Sequence, residues 1–204
     1  GQRVVVDTRW DRSGRKTSVT RPQFVGESRA APVVRFTYDA LDREISKQEP
    51  ASSQKVASYH TRYQGLKVTV TDARGFEHST TSNLLGHILR KEEPDNAYQT
   101  YQYYPDGKLK SSTDSDGNTT QIRYDSFGHR VSLDDPDMGQ WSYVYNAAGE
   151  LIYKRDAKGV VTEIAYDQLG RKIKQTEGGQ ESTWRYDENG ALGTLSGFSG
   201  RGNQ

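Results

Sequence analysis

Apolar and polar side chains alternate along this chain in short stretches, and each stretch closes on an aromatic ring. Trp184 and Tyr186 share one side of theirs, with Thr183 and Arg185 on the other. Ile164 and Tyr166 oppose Glu163 and Ala165, and Trp141, Tyr143 and Tyr145 oppose Ser142 and Val144. Ile122 and Tyr124 oppose Gln121 and Arg123, and Phe36 and Tyr38 oppose Arg35 and Thr37. A period of two marks a half-buried strand. Turn chemistry follows the ring at Asp11–Gly14, Asn83–Gly86, Asp125–Gly128, Asn146–Gly149, Asp167–Gly170 and Asp187–Gly190. A second set lies farther along the repeat, at Asp72–Gly75, Asp114–Gly117 and Asp156–Gly159. In each, the Asx side chain accepts hydrogen bonds from the turn's own backbone, and glycine takes the left-handed conformation that follows a type I turn. The pairing predicts hairpins with a bulge and strands of about five or six residues.

The motif repeats, in AYDQLGRKIKQTEGG (165–179), RYDSFGHRV from Arg123, VYNAAGELI from Val144 and RYDENGALG from Arg185. The rings that mark it are Trp10, Tyr38, Tyr63, Tyr104, Tyr124, Tyr145, Tyr166 and Tyr186, with Ser82 in a ring's place. Repeats of 20 to 50 residues mean a repeat architecture. The fold class is all-β: tandem hairpins, nine units of two strands, in a long curved antiparallel sheet with its rings on one face. One repeat region is expected over 1–192, irregular to 62 and regular from 63, followed by a Gly-rich flexible tail at 193–204. Equivalent rings two strands apart stand roughly 9.6 Å from each other, too far to stack. Each is expected to pack on the intervening strand, on residues such as Leu109, Val131, Leu151 or Ile173. In SNLLGHILR, Leu84, Leu85, Ile88 and Leu89 also suit a helix face; the repeat register favours strand–turn–strand.

Composition changes little in this picture. Val, Leu, Ile and Phe number 36 of 204 residues, but the net charge is +1 and there are 13 Tyr and 3 Trp. That is a folded chain with a thin core, not the composition of disorder. Near-neutral charge argues against a nucleic-acid surface, no apolar run is long enough for a membrane span, and zero cysteines exclude disulfides and thiolate metal sites.

These residues resemble the YD-repeat, or Rhs-repeat, family. YDSFGHR, YDQLGRK and DAKGVVTEIAYDQLGR carry the likeness, and WDRSGRKTSVTRPQFVGE resembles a longer unit of Rhs and insecticidal toxin-complex proteins. Departures stand at Trp10, Ser82, Asn83, Asn146 and Asp42. The resemblance implies a β-strip wound into a hollow shell around a C-terminal toxin, in a secreted or cell-surface bacterial protein. Its implied partners are the rest of a larger chain and an encapsulated toxin domain. The same repeats are also linked to adhesion and carbohydrate.

No enzyme is expected and no cofactor or metal. His60, His78, His87 and His129 are scattered; His87 and His129 fill the post-turn place that Arg171 fills elsewhere. Asp134, Asp135 and Asp137 flank Pro136 and read as a turn, and DSDGN at 114–118 lacks calcium-loop spacing. Tyr101, Tyr103, Tyr104 and Trp141 are candidates for sugar stacking against the plainer reading that they pack the sheet. Two functions follow, a wall segment of a toxin shell or a carbohydrate-binding or adhesion module. Open sheet edges also predict self-association of the isolated chain.

Overall fold

The computed structural model describes residues 3–27, 31–50, 55–190 and 192–200. The chain divides into two compact units, 1–100 and 101–204. The first unit holds β1 (Val4–Val5), β2 (Thr8–Trp10), β3 (Lys16–Thr20), β4 (Gln23–Phe24), β5 (Val33–Tyr38), β6 (Glu44–Pro50), β7 (Val56–Gln64), β8 (Lys67–Thr71), β9 (Glu77–Ser82), β10 (Ile88–Glu92) and the start of β11 (Tyr98–Tyr103). The second holds β12 (Leu109–Asp114), β13 (Thr119–Tyr124), β14 (Arg130–Asp135), β15 (Gly139–Tyr145), β16 (Leu151–Arg155), β17 (Val161–Tyr166), β18 (Lys172–Glu177), β19 (Gln180–Tyr186) and β20 (Leu195–Ser199). Apart from the small β1–β4 ribbon, each unit is an antiparallel meander in which sequence neighbours pair, β3 with β5 across the ribbon. SNLLGHILR forms strand–turn–strand, as the repeat register predicts.

The Asx–Gly turns explain the meander. At Asp125, the N–H groups of Phe127 and His129 both donate to Oδ1 at 2.9 Å, and the Gly128 N–H donates to the Asp125 carbonyl at 3.1 Å. The same two bonds to the first side chain recur at Asp11, Asp39, Asp72, Asn83, Asp114, Asn146, Asp156 and Asp167. A loop that satisfies its own backbone donors this way needs no help from a core. The pairing then slips by one residue beside the ring: Trp10, Tyr38, Ser82, Tyr124, Tyr145 and Tyr166 each face the residue six places on, across a register shift. That is the bulge predicted from an Asx turn closed by a left-handed residue.

Side chains alternate between half-buried and exposed along the ring-bearing strands, as in β13, β15 and β17. The core is thin. Among the described residues the buried apolar side chains are Val34 and Leu133, each 8% exposed, joined by the hydroxyl-bearing Thr69 and Thr162 at 2% and 1%.

Three sequence expectations change. Tyr104 is not the ring of its repeat: its N–H donates to the Lys108 carbonyl and its carbonyl accepts from Gly107, so it stands first in the turn, where Asx stands elsewhere. Tyr103 closes β11 and holds the ring position, giving steps of 21 from Ser82 to Tyr103 and from Tyr103 to Tyr124. The turn at Asp187–Gly190 is longer than predicted. The Asp187 N–H donates to the Thr194 carbonyl, Gly193 donates to the Asp187 carboxylate at 2.6 Å, and a 3-10 turn spans Glu188–Gly190. Finally, the stretch expected as a flexible tail contains β20, paired with β19 from Leu195 to Ser199; residues 201–204 lie outside the described set.

Gly75 isolates the backbone requirement of these turns. Its φ is +90° and a Cβ there would meet nothing within 4 Å, so Gly75→Ala tests conformation without a clash. It should lower unfolding free energy by about 1 kcal/mol in chemical denaturation; no loss would mean that the left-handed seat is unimportant.

Candidate functional site

Five places after Trp10, Tyr38, Tyr103, Tyr124 and Tyr166 stands a basic or imidazole side chain that joins one hairpin to the next. Arg15 Nε meets Asp11 of its own turn at 2.7 Å, the guanidinium carbon lies 5.2 Å from the centre of the next ring, Tyr38, and Nη1 meets Asp42 of the next turn at 2.6 Å. Arg43 pairs with Asp39 and covers Tyr63 at 4.2 Å. Arg171 pairs with Asp167 and Asp187 and covers Tyr186 at 4.5 Å. His129 meets Asp125 at 3.0 Å and stacks on Tyr145 with centroids 4.7 Å apart. Lys108 lies over Tyr124 at 5.9 Å. These side chains form a row of clasps at the ring edge, each touching its own turn and the following ring. The rings therefore face clasps from the preceding turn, which the expectation of packing on Leu109, Val131, Leu151 and Ile173 did not foresee.

Two departures from the repeat fit the row. Asp42 occupies a glycine seat with φ +63°, a conformation Asp tolerates better than most residues, and its carboxylate receives Arg15. At Asn146 the chemistry is inverted: Asn146 Nδ2 donates to Glu150 at 2.6 Å, so an amide donor and a carboxylate replace the usual carboxylate and guanidinium. The clasp also explains crowding at the next glycine. A Cβ at Gly128 would sit 2.8 Å from Lys108, and one at Gly149 3.0 Å from His129 Nε2.

Ring hydroxyls add a second tie. Tyr38 donates to the Lys16 carbonyl at 2.8 Å, Tyr63 to Glu44 at 3.1 Å, Tyr145 to Arg130 at 3.2 Å, Tyr166 to Leu151 at 3.0 Å and Tyr186 to Lys172 at 3.1 Å. Each acceptor is the first residue of the preceding return strand. Burial pushes the Tyr38, Tyr145 and Tyr166 hydroxyls above the usual tyrosine range. Trp10 is 59% exposed and has only Lys16 of its own hairpin over it, at 5.9 Å.

The carboxylates of Asp11, Asp39, Asp72, Asp114, Asp125 and Asp167 are held below the usual range. At Asp11 the Arg15 N–H and guanidinium do this, at Asp114 the Asn118 side chain leads, and at Asp167 the Arg171 N–H leads. At Asp39, Asp72 and Asp125 partial burial pulls upward and is outweighed by the turn donors and by Arg43, Arg74 or His129.

The rings singled out for sugar stacking do not form one group. Trp141 stacks with Tyr143, centroids 6.5 Å apart, and Tyr104 meets Tyr124 edge-on at 5.9 Å. Tyr101 and Tyr103 lie half-buried on β11. His60 and His78 sit on β7 and β9, and His78 pairs with Glu93 at 2.5 Å. Asp135 caps the Pro136 turn through the N–H groups of Asp137 and Met138, and Asp114 caps its own. Among the described residues, no group of three or more His, Asp or Glu side chains is placed to hold a metal ion.

Two outcomes follow from this geometry. Tyr166→Phe leaves the Leu151 carbonyl without its donor and should cost about 1 kcal/mol in denaturant unfolding; a neutral result would make the hydroxyl ties incidental. The depressed aspartates contribute stability that is complete above their unfolded value of 3.8 and disappears as pH falls through their lower folded values. The melting temperature should be nearly flat from neutral pH to about 5 and fall below about 4; a melt insensitive to acid would contradict the assignment.

Residues 103–137 match the family model described as RHS Repeat, a window that opens on the ring Tyr103. Solved structures share the fold. TcdB2-TccC3 is 17% identical with a TM-score of 0.71 over 89% of this chain and 11% of that one. TcdB2-TccC3-Cdc42 is 16% identical with a TM-score of 0.68 over 88% and 11%. The Photorhabdus luminescens Tc holotoxin pore gives 16%, 0.68, 88% and 11%. The chain thus spans 11% of the length of these structures. Residues 103–137 are thus an RHS, or YD, repeat, and the Asx turn that marks it recurs from Asp11 to Asp167.

Proposed function

We propose that the chain is a stretch of wall in a toxin-complex shell that encloses a toxic cargo, acting outside the cell that makes it. The repeated hairpin and its fold-level likeness to TcdB2-TccC3 over 89% of the chain carry this reading. The local physics suits a wall. Stability comes from turns and clasps spread along the strip, and the thin core places no requirement on what lies beyond either face. The role is mechanical, and the rings and turn glycines serve it by holding hairpins in register.

Encapsulation belongs to a closed shell, so its test needs the complete protein. Limited proteolysis should leave a C-terminal cargo intact when the wall is wild type. Replacing Tyr166 and Tyr186 together by Ala, which removes two hydroxyl ties and the ring that Arg171 covers, should make the cargo cleavable. Equal cleavage of both proteins would count against enclosure.

A further inference from the structure

Among the described residues, nine turns bring their own N–H groups two and four places on to one Asx oxygen, and the turn that opens at Tyr104 does not. A tyrosine there cannot accept from the N–H groups two and four places on. What is left is a bond from the Lys108 N–H to Asp106 at 3.1 Å. The Tyr104 hydroxyl instead donates to the Ile122 carbonyl at 3.0 Å, which fixes its ring edge-on to Tyr124. The result is a notch of about 280 Å³ between neighbouring turns, lined by Tyr104, Pro105, Asp106, Tyr124 and Asp125.

We propose that this notch is a seat for a quaternary ammonium group of the choline type. Two tyrosine rings at 85° and two carboxylates make an aromatic, negatively charged corner, the chemistry that recognises organic cations. The protein's own ammonium already uses part of it: Lys108 Nζ meets Asp106 at 2.5 Å and lies over the Tyr124 ring. Asp125 faces the notch while held by His129 and its own turn. Anions are repelled by both carboxylates. The volume lies just below the range for drug-sized ligands, which suits a head group and not a larger molecule.

The test is an NMR titration of the 204-residue chain with choline chloride at constant ionic strength, beside its neutral isostere 3,3-dimethylbutan-1-ol. Choline should shift the ring signals of Tyr104 and Tyr124 saturably, and the isostere should not. Tyr104→Asn restores the residue found at Asn83 and Asn146, so it should melt no lower than wild type yet bind choline about tenfold more weakly. Lys108→Gln removes the internal competitor and should tighten binding. Sedimentation with phosphatidylcholine vesicles assigns the ligand to a lipid head group if the chain pellets, and to a free solute if choline shifts the rings without pelleting. No saturable shift, equal binding of the isostere, or full affinity in Tyr104→Asn would each overturn the proposal. A lower melting temperature in Tyr104→Asn would also overturn it, by making the tyrosine a structural necessity.

Discussion

The structure depends on one hydrogen-bonding arrangement: an Asx side-chain oxygen at the head of most turns accepting from two backbone N–H groups of the same turn. It closes the loop from within, so a hairpin forms from local sequence with little burial. It also fixes the bulge beside the ring, and the bulge decides which face the ring takes, since a one-residue slip reverses every side chain. With the ring placed, the residue five positions on emerges beside the turn and reaches the next hairpin. Turn, ring and clasp are thus successive consequences of the same short motif.

Much of this was legible in the sequence. Asx–Gly spacing gave the hairpins, and period-two alternation gave the half-buried ring face, because both depend only on near neighbours. The post-turn position was visible as a slot shared by Arg171, His87 and His129, but its contacts were not, since they join residues about twenty apart through a register that periodicity leaves open. Tyr104 misled for a related reason. With tyrosine at 101, 103 and 104, the eye takes the ring nearest Pro105, while the even step of 21 from Ser82 to Tyr124 points to Tyr103. Glycine content suggested a flexible end beyond 192, yet β19 offers Leu195–Ser199 a strand to pair with. Asp42 departs from the motif and is a carboxylate placed for Arg15.

The thin core follows from the same economy. Val34 and Leu133 are the deeply covered apolar side chains among the described residues, and much of what they would supply in a layered domain comes here from ring hydroxyls on carbonyls and cations on rings. Such contacts are short-ranged and link each hairpin to its immediate predecessor, which makes stability close to a sum over neighbours. A strip built this way takes its strength from length and repetition.

Nearest-neighbour clasping also sets a unit of evolutionary change. From Tyr103 through Tyr124 and Tyr145 to Tyr166 the chain advances by 21 residues each time, and only whole steps return the post-turn side chain to its place beside the next hairpin. Genes for such strips can lengthen or shorten by duplicating or deleting complete periods, leaving every joint intact. A change of any other size shears one joint, and has to be absorbed in a loop such as the one from Asp187 to Thr194.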